Sequence, residues 1–188
     1  MNASLNNIIL PELSKRFNQY RILGEQTLQQ LNEQEIHYQA NENTNSISII
    51  IRHMHGNMMS RFTDFLTTDG EKDWRNRDEE FKKNNDSSTD ILNKWNEGWN
   101  LLMNTINSLT AEDLTKYVTI RKEPLTVTDA LFRQLAHYSY HVGQIIQIAK
   151  SLKNEGWQSL SIPIGQSQQY NESDKIKDPA NLYPPKKG

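Results

Sequence analysis

Two histidines, His137 and His141, stand four residues apart in the run TVTDALFRQLAHYSYHVGQIIQIAKSL, Thr126 to Leu152. The run has a helical apolar period, and on a helix residues i and i+4 share one side, roughly 40° apart around the axis. Two imidazoles so placed can grip one metal ion. Two ligands do not complete a site, and a lone pair is also satisfied by hydrogen bonds at a helix surface. The chemistry therefore turns on a third ligand elsewhere in the chain.

The candidates lie in SISIIIRHMHGNMMSRFTDFL, predicted as a helix from about Ser46 to Leu66 with Asn45-Ser46 as its cap. His53 and His55 are roughly 200° apart on that helix, so only one of them can face a given site. His55 lies nearer the apolar face of Ile47, Ile50, Ile51, Met54, Met58, Phe62 and Phe65. His53 belongs to a narrower polar stripe with Ser46, Asn57, Ser60 and Asp64. That stripe is either pocket lining or solvent face, and periodicity alone leaves the choice between the two histidines open. Three neutral imidazoles with an open fourth position describe a catalytic site for Zn, Ni, Fe(II) or Mn. His37, in the Asn-rich segment 33–45, reads as a surface histidine without partners.

The elements that must position these groups follow from period and punctuation. A first helix is predicted from about Glu12 to Leu31, continuing an apolar pattern that starts at Leu5, with Pro11 kinking it or separating its first turns. Segment 33–45 reads as a loop. The 67–88 connection carries Trp74, Arg75 and Arg77 and is long enough to be functional. A third long helix runs from about Asp90 to Leu109, capped by Ser88-Thr89-Asp90. Residues 117–120 and 124–126 suggest a short ribbon, and Thr126 with Asp129 caps the last helix. The remainder reads as an extended tail packing through Trp157, Leu160, Ile162 and Tyr170 and fraying after about Asp174. The expected fold is all-α, a four-helix bundle, with one domain over 1–170 and a polar tail over 171–188.

Composition narrows the functions. The 188 residues are 35% apolar and 23% charged, with a net charge of −2 and no block of like charge. Nucleic acid and anionic membrane are therefore not expected as partners, and Lys186-Lys187 reads as a solvated end. There is no cysteine, so any thiol chemistry must use a small-molecule thiol. A Cys-free chain with no signal-peptide pattern and no apolar run near the ~20 residues of a membrane span is expected in the cytoplasm.

SISIIIRHMHGNM resembles the second-helix S-I-x-x-x-x-x-H segment of the DinB-like (YfiT-type) metal-dependent bundle superfamily. LTVTDALFRQLAHYSYHVGQI resembles its last-helix H-x-x-x-H-x-G-Q segment. HGNMMSRFTDFLTTDGEKDWRNRDEEF and WQSLSIPIGQSQQYN are similar to an uncharacterised bacterial subfamily of it, and the resemblance spans about residues 40–170. Carried over residue by residue, the metal ligands fall on His53, His137 and His141. His55, Asn57 and Gln144 become candidates for the surroundings of the site. The resemblance implies a frequently dimeric bundle holding a divalent metal, whose characterised relatives are transferases or isomerases using bacillithiol, mycothiol or similar thiols. The expectation is an S-transferase joining a low-molecular-weight thiol to an electrophile, working as a homodimer. Arg75 and Arg77 are then the candidates for gripping the thiol's carboxylates, and no general base is evident beyond the metal-bound species or His55. The other reading is a non-catalytic, stress-related bundle that binds a metal or an apolar ligand.

Overall fold

The structure is a computed structural model, and it describes residues 6–175 and 177–181, with the side chains of all of these except Asn6 and Asn7. Leu5 and Lys186-Lys187 lie outside the described residues, as does all of the tail beyond Asn181. The protein is mostly helical. In chain order it forms α1 (Asn6–Leu28), α2 (Glu33–His37), α3 (Ile47–Phe62) and α4 (Ser88–Ser108), then strands β1 (Tyr117–Ile120) and β2 (Glu123–Thr126), then α5 (Val127–Lys153) and α6 (Ser167–Glu172). Among the described residues no helix is long and apolar enough to cross a membrane.

Four long helices, α1, α3, α4 and α5, enclose one core. α3 packs chiefly on α4, and α1 on α5. Phe17, Met54, Met58, Trp99, Leu102, Tyr138, Val142 and Ile145 are all fully buried there. α1 and α4 come close at Gly24, where an added Cβ would run into the Trp95 ring. A glycine is what this approach requires.

The helix starts follow their caps. Ser46 accepts a hydrogen bond from the Ile49 amide, Ser87 from that of Asp90, and Thr126 from that of Asp129, each satisfying a donor that the first turn leaves free. Two expectations are corrected. α1 runs unbroken through Pro11, because the missing amide costs one bond near the helix start while Leu13 and Phe17 hold the helix on the core. Segment 33–45 is not all loop. Asn32 and Glu35 form a capping box that starts α2, and His37 has partners, its Nδ1 3.1 Å from the Ser48 hydroxyl and its Nε2 3.4 Å from Glu33.

The ribbon pairs Tyr117 with Thr126 and Ile120 with Glu123, antiparallel. Its two-residue turn places Arg121 and Lys122 at φ 55° and 65°, a left-handed conformation that costs ordinary residues energy. The Asp69 carboxylate offsets this by accepting from both amides, at 2.8 and 2.7 Å. The described part of the tail does not fray at Asp174. Asp178 forms a forked pair with Arg16 at 2.8 and 3.1 Å, and Ala180 is buried.

Candidate metal centre

α3 and α5 lay their polar edges against each other, and the three histidines meet there. The Nε2 atoms of His53 and His137 are 3.4 Å apart, and those of His137 and His141 2.9 Å. The ligand atoms of all three lie within 4.8 Å of one another, close enough to hold a metal ion. Tetrahedral ligands at about 2.1 Å from zinc stand ~3.4 Å apart, the His53–His137 separation and a little more than that of the α5 pair. His53 is buried, and the other two are half-buried. Ser46, His53, Asn57 and Ser60 of the polar stripe are buried and form an interior surface, whereas Asp64, past the end of α3, is exposed.

The neighbours of His53 and His141 fix which nitrogen of those two rings faces inward. Oε2 of Glu80 lies 2.8 Å from Nδ1 of His53, and a carboxylate there accepts the Nδ1 proton and leaves the Nε2 lone pair free. Nδ1 of His141 lies 2.8 Å from Oε1 of Gln144, whose amide nitrogen donates to the Tyr140 hydroxyl, so His141 is oriented in the same way. A ligand imidazole whose other nitrogen donates to a carboxylate or carbonyl oxygen is the usual support of a bound metal. Burial, then His141 and His53, with smaller effects of Arg61 and Arg75, push His137 down to about 3. Burial likewise lowers His141, with His53 adding to it. Both are neutral at neutral pH, the form that coordinates. The donor set therefore fits a divalent cation.

A second layer of charge surrounds the imidazoles. Arg75 grips Glu80 with two bonds, 2.8 and 3.0 Å, and its side chain is only 2% exposed. Arg61 pairs with Glu71 at 3.0 Å. Burial raises the Glu80 carboxyl, yet His53 and Arg75 hold it below its ordinary value, so it remains a carboxylate. Arg121 adds a third guanidinium, 3.0 Å from Glu71, so the two carboxylates are fully matched within the layer. A divalent cation would bring charge that nothing in this layer neutralises, which leaves its open position suited to an anion.

The 67–88 segment supplies these partners. Its 3-10 turn, Asp78–Phe81, places Glu80 on His53 and stacks Phe81 4.9 Å from the His53 ring. Arg75 is thus committed to Glu80 rather than free for a ligand's carboxylates, and Arg77 lies over the Phe81 ring at 4.9 Å. Trp74 is 60% exposed. His55 points the other way, to Glu97 of α4 at 2.8 Å. Asn57 accepts from the buried Tyr138 hydroxyl at 2.8 Å, and the Tyr138 ring packs on His137 at 5.2 Å. Glu80 and Phe81 escaped the sequence reading, and Tyr138 falls in the apolar stripe of the last helix, where sequence alone marks it only as core. The one local signal was Gly56, a helical glycine three residues past His53.

A family model described as "Protein of unknown function (DUF1572)" matches residues 4–166. No curated protein and no solved structure matches the chain.

Proposed function

The chain belongs to the DUF1572 family, and we propose that it is a divalent-metal-dependent S-transferase that joins a low-molecular-weight, bacillithiol-like thiol to an electrophilic small molecule. On this reading the four long helices are a DinB-like bundle, and the protein acts as a cytoplasmic homodimer. The observation that carries it is the convergence of three Nε2 atoms at a half-open position in a chain without cysteine.

A divalent cation held by the three imidazoles would supply Lewis acidity that favours a thiolate over a thiol at neutral pH. The chain's own residues do the rest. Glu80 keeps the proton of His53 on Nδ1, and Gln144 does the same for His141. Arg75 holds Glu80 ionised and in place. Phe81 and Tyr138 wall off two sides of the imidazole cluster, limiting water around it. The small-molecule thiol loses its proton to solvent. Its sulfur lone pair forms the new C–S bond, and the leaving group departs with the electrons of the bond it breaks. The exposed edges of His137 and His141 favour this over a closed structural site, which would take a fourth protein ligand.

The test is turnover. Zinc-, nickel-, iron- and manganese-loaded protein would be incubated with bacillithiol and related thiols, with monochlorobimane as electrophile. A loaded site with no metal-dependent adduct from any thiol overturns the proposal.

A further inference from the structure

A cavity of about 720 Å³ lies beside the imidazole cluster, between α5 and residues 38–45. That is the size of a small-molecule site. It is joined to the cluster through one side chain. Gln144 bonds His141 with its oxygen and Tyr140 with its nitrogen, and both Gln144 and Tyr140 line the cavity. Along α5 the lining residues Tyr140, Gln144, Gln147 and Ser151 continue the histidine side of the helix at i, i+3 and i+4 spacing.

The wall is uncharged. None of its residues is Asp, Glu, Lys, Arg or His, in a chain that is 23% charged. Ile50, Ile148 and Leu152 give it apolar ground, and Tyr38 and Tyr140 flank it with half-exposed rings. Asn43, Asn45 and Gln147 contribute neutral amides. An ion entering would lose water without meeting a counter-charge, whereas a neutral molecule with a flat body and a few carbonyl or hydroxyl groups is matched on both counts.

Gly143 shapes the same wall. A Cβ built on it meets nothing within 4 Å, so neither backbone conformation nor packing within the chain calls for a glycine there. A glycine in the middle of a helix is unfavourable. What its missing side chain provides is room in the cavity, one turn beyond Tyr140 and one before Gln147.

We infer that this cavity binds an uncharged, planar small organic molecule, and that Gly143 keeps it open. Its use as the seat of the electrophile rests on the function proposed above, whereas the class of ligand rests on the wall alone.

The test uses a bimane without a leaving group and its carboxylate-bearing derivative, measured by equilibrium dialysis on the full chain with and without zinc. Saturable 1:1 binding of the neutral bimane is expected, with the carboxylate bound about tenfold more weakly or worse. Gly143→Phe should reduce neutral binding about tenfold, and Gly143→Ala, which adds only a methyl group, should weaken it by less. Should the Phe variant misfold, Gln147→Lys serves instead, and it should shift the preference toward the carboxylate. Equal binding of both probes, an unchanged folded Gly143→Phe protein, or unchanged selectivity in Gln147→Lys each overturns the inference. So does a self-associated dimer, seen by sedimentation, that fills the cavity and admits no probe. Zinc content of the same samples separates the two ideas. Bimane binding without zinc binding sinks the metal reading and leaves the cavity, and zinc binding without bimane binding does the reverse.

Discussion

The Glu80 carboxylate occupies the space that a side chain on Gly56 would take. A Cβ built on Gly56 would overlap Oε1 of Glu80 and come within 2.8 Å of its Cδ. Gly56 stands on α3 three residues after His53, and Glu80 reaches across it to Nδ1 of that histidine. The carboxylate cannot swing aside freely, because Arg75 holds both of its oxygens. The glycine is therefore part of the histidine's support.

Gly56→Ala should leave the helices folded, since alanine is the better helix former, while displacing Glu80 from His53. Loss of such an outer partner weakens metal binding by about ten- to a hundredfold. Competition with a chelating dye would show the drop, with circular dichroism as the control for folding. An unchanged affinity would mean that His53 does not depend on Glu80.

Single alanine replacements of His53, His137 or His141 should each abolish stoichiometric zinc, because two imidazoles leave half of the coordination to water. His55→Ala should retain full zinc content, since its ring turns to Glu97. Metal analysis of protein purified without chelator or nickel resin checks both.

How much of this was legible in the sequence depended on whether the signal was local. α5 was bounded within a residue or two at each end, because period and cap agree over 27 residues. α2 was missed although Asn32 and Glu35 spell out its capping box; the Asn-rich composition outweighed a two-residue signal. Between His53 and His55 periodicity could say only that they diverge, and tertiary contact separated them, one to Glu80 and the other to Glu97. Arg75 read as a surface cation because its neighbours are charged, yet two of those neighbours, Glu71 and Glu80, pair with it, and its side chain is buried. No period runs through the 67–88 segment, so its 3-10 turn carried no signal of which face looks inward.

Two glycines should respond to alanine in opposite directions. Gly143→Ala should stabilise the protein by about 0.5–1 kcal/mol, since the new methyl meets nothing and helix propensity improves. Gly24→Ala should destabilise it by about 1–3 kcal/mol, because Trp95 is buried against Trp99 and cannot withdraw from the added Cβ. Urea unfolding with a common m-value would measure both.

The ribbon turn should be acid-sensitive. Burial alone would raise the Asp69 carboxyl, but the amides of Glu71, Lys122 and Arg121 bring it down to about 2 from an ordinary 3.8. A depressed carboxylate stabilises fully above its unfolded value and loses that contribution as the pH falls through its folded one. Protection of the amides across residues 117–126, taken relative to their intrinsic exchange rates, should therefore fall between about pH 4 and pH 2. Asp69→Asn should exchange faster at neutral pH and lack the transition.

Arg75→Met should expose how the buried charges depend on each other. The substitution keeps the bulk of the stem but leaves Glu80, 9% exposed, with His53 as its one remaining side-chain hydrogen bond. Removing one member of a buried pair costs about 3 kcal/mol, because the remaining charge is neither solvated nor matched. The Glu80 carboxyl should then rise, since burial already pushes it upward and Arg75 is one of the two groups that oppose this. The sign follows from that direction. In the unaltered protein the Glu80 contribution is complete above its unfolded value of about 4.5 and is lost at lower pH. In Arg75→Met the loss begins at higher pH, so acid unfolding of the metal-free protein should move to a higher midpoint. Glu80→Gln combined with Arg75→Met should recover part of the stability, because an amide can keep a bond to His53 without leaving a charge unpaired. If the double variant is as unstable as the sum of the two single ones, Arg75 supports the fold by packing alone and the charge argument fails.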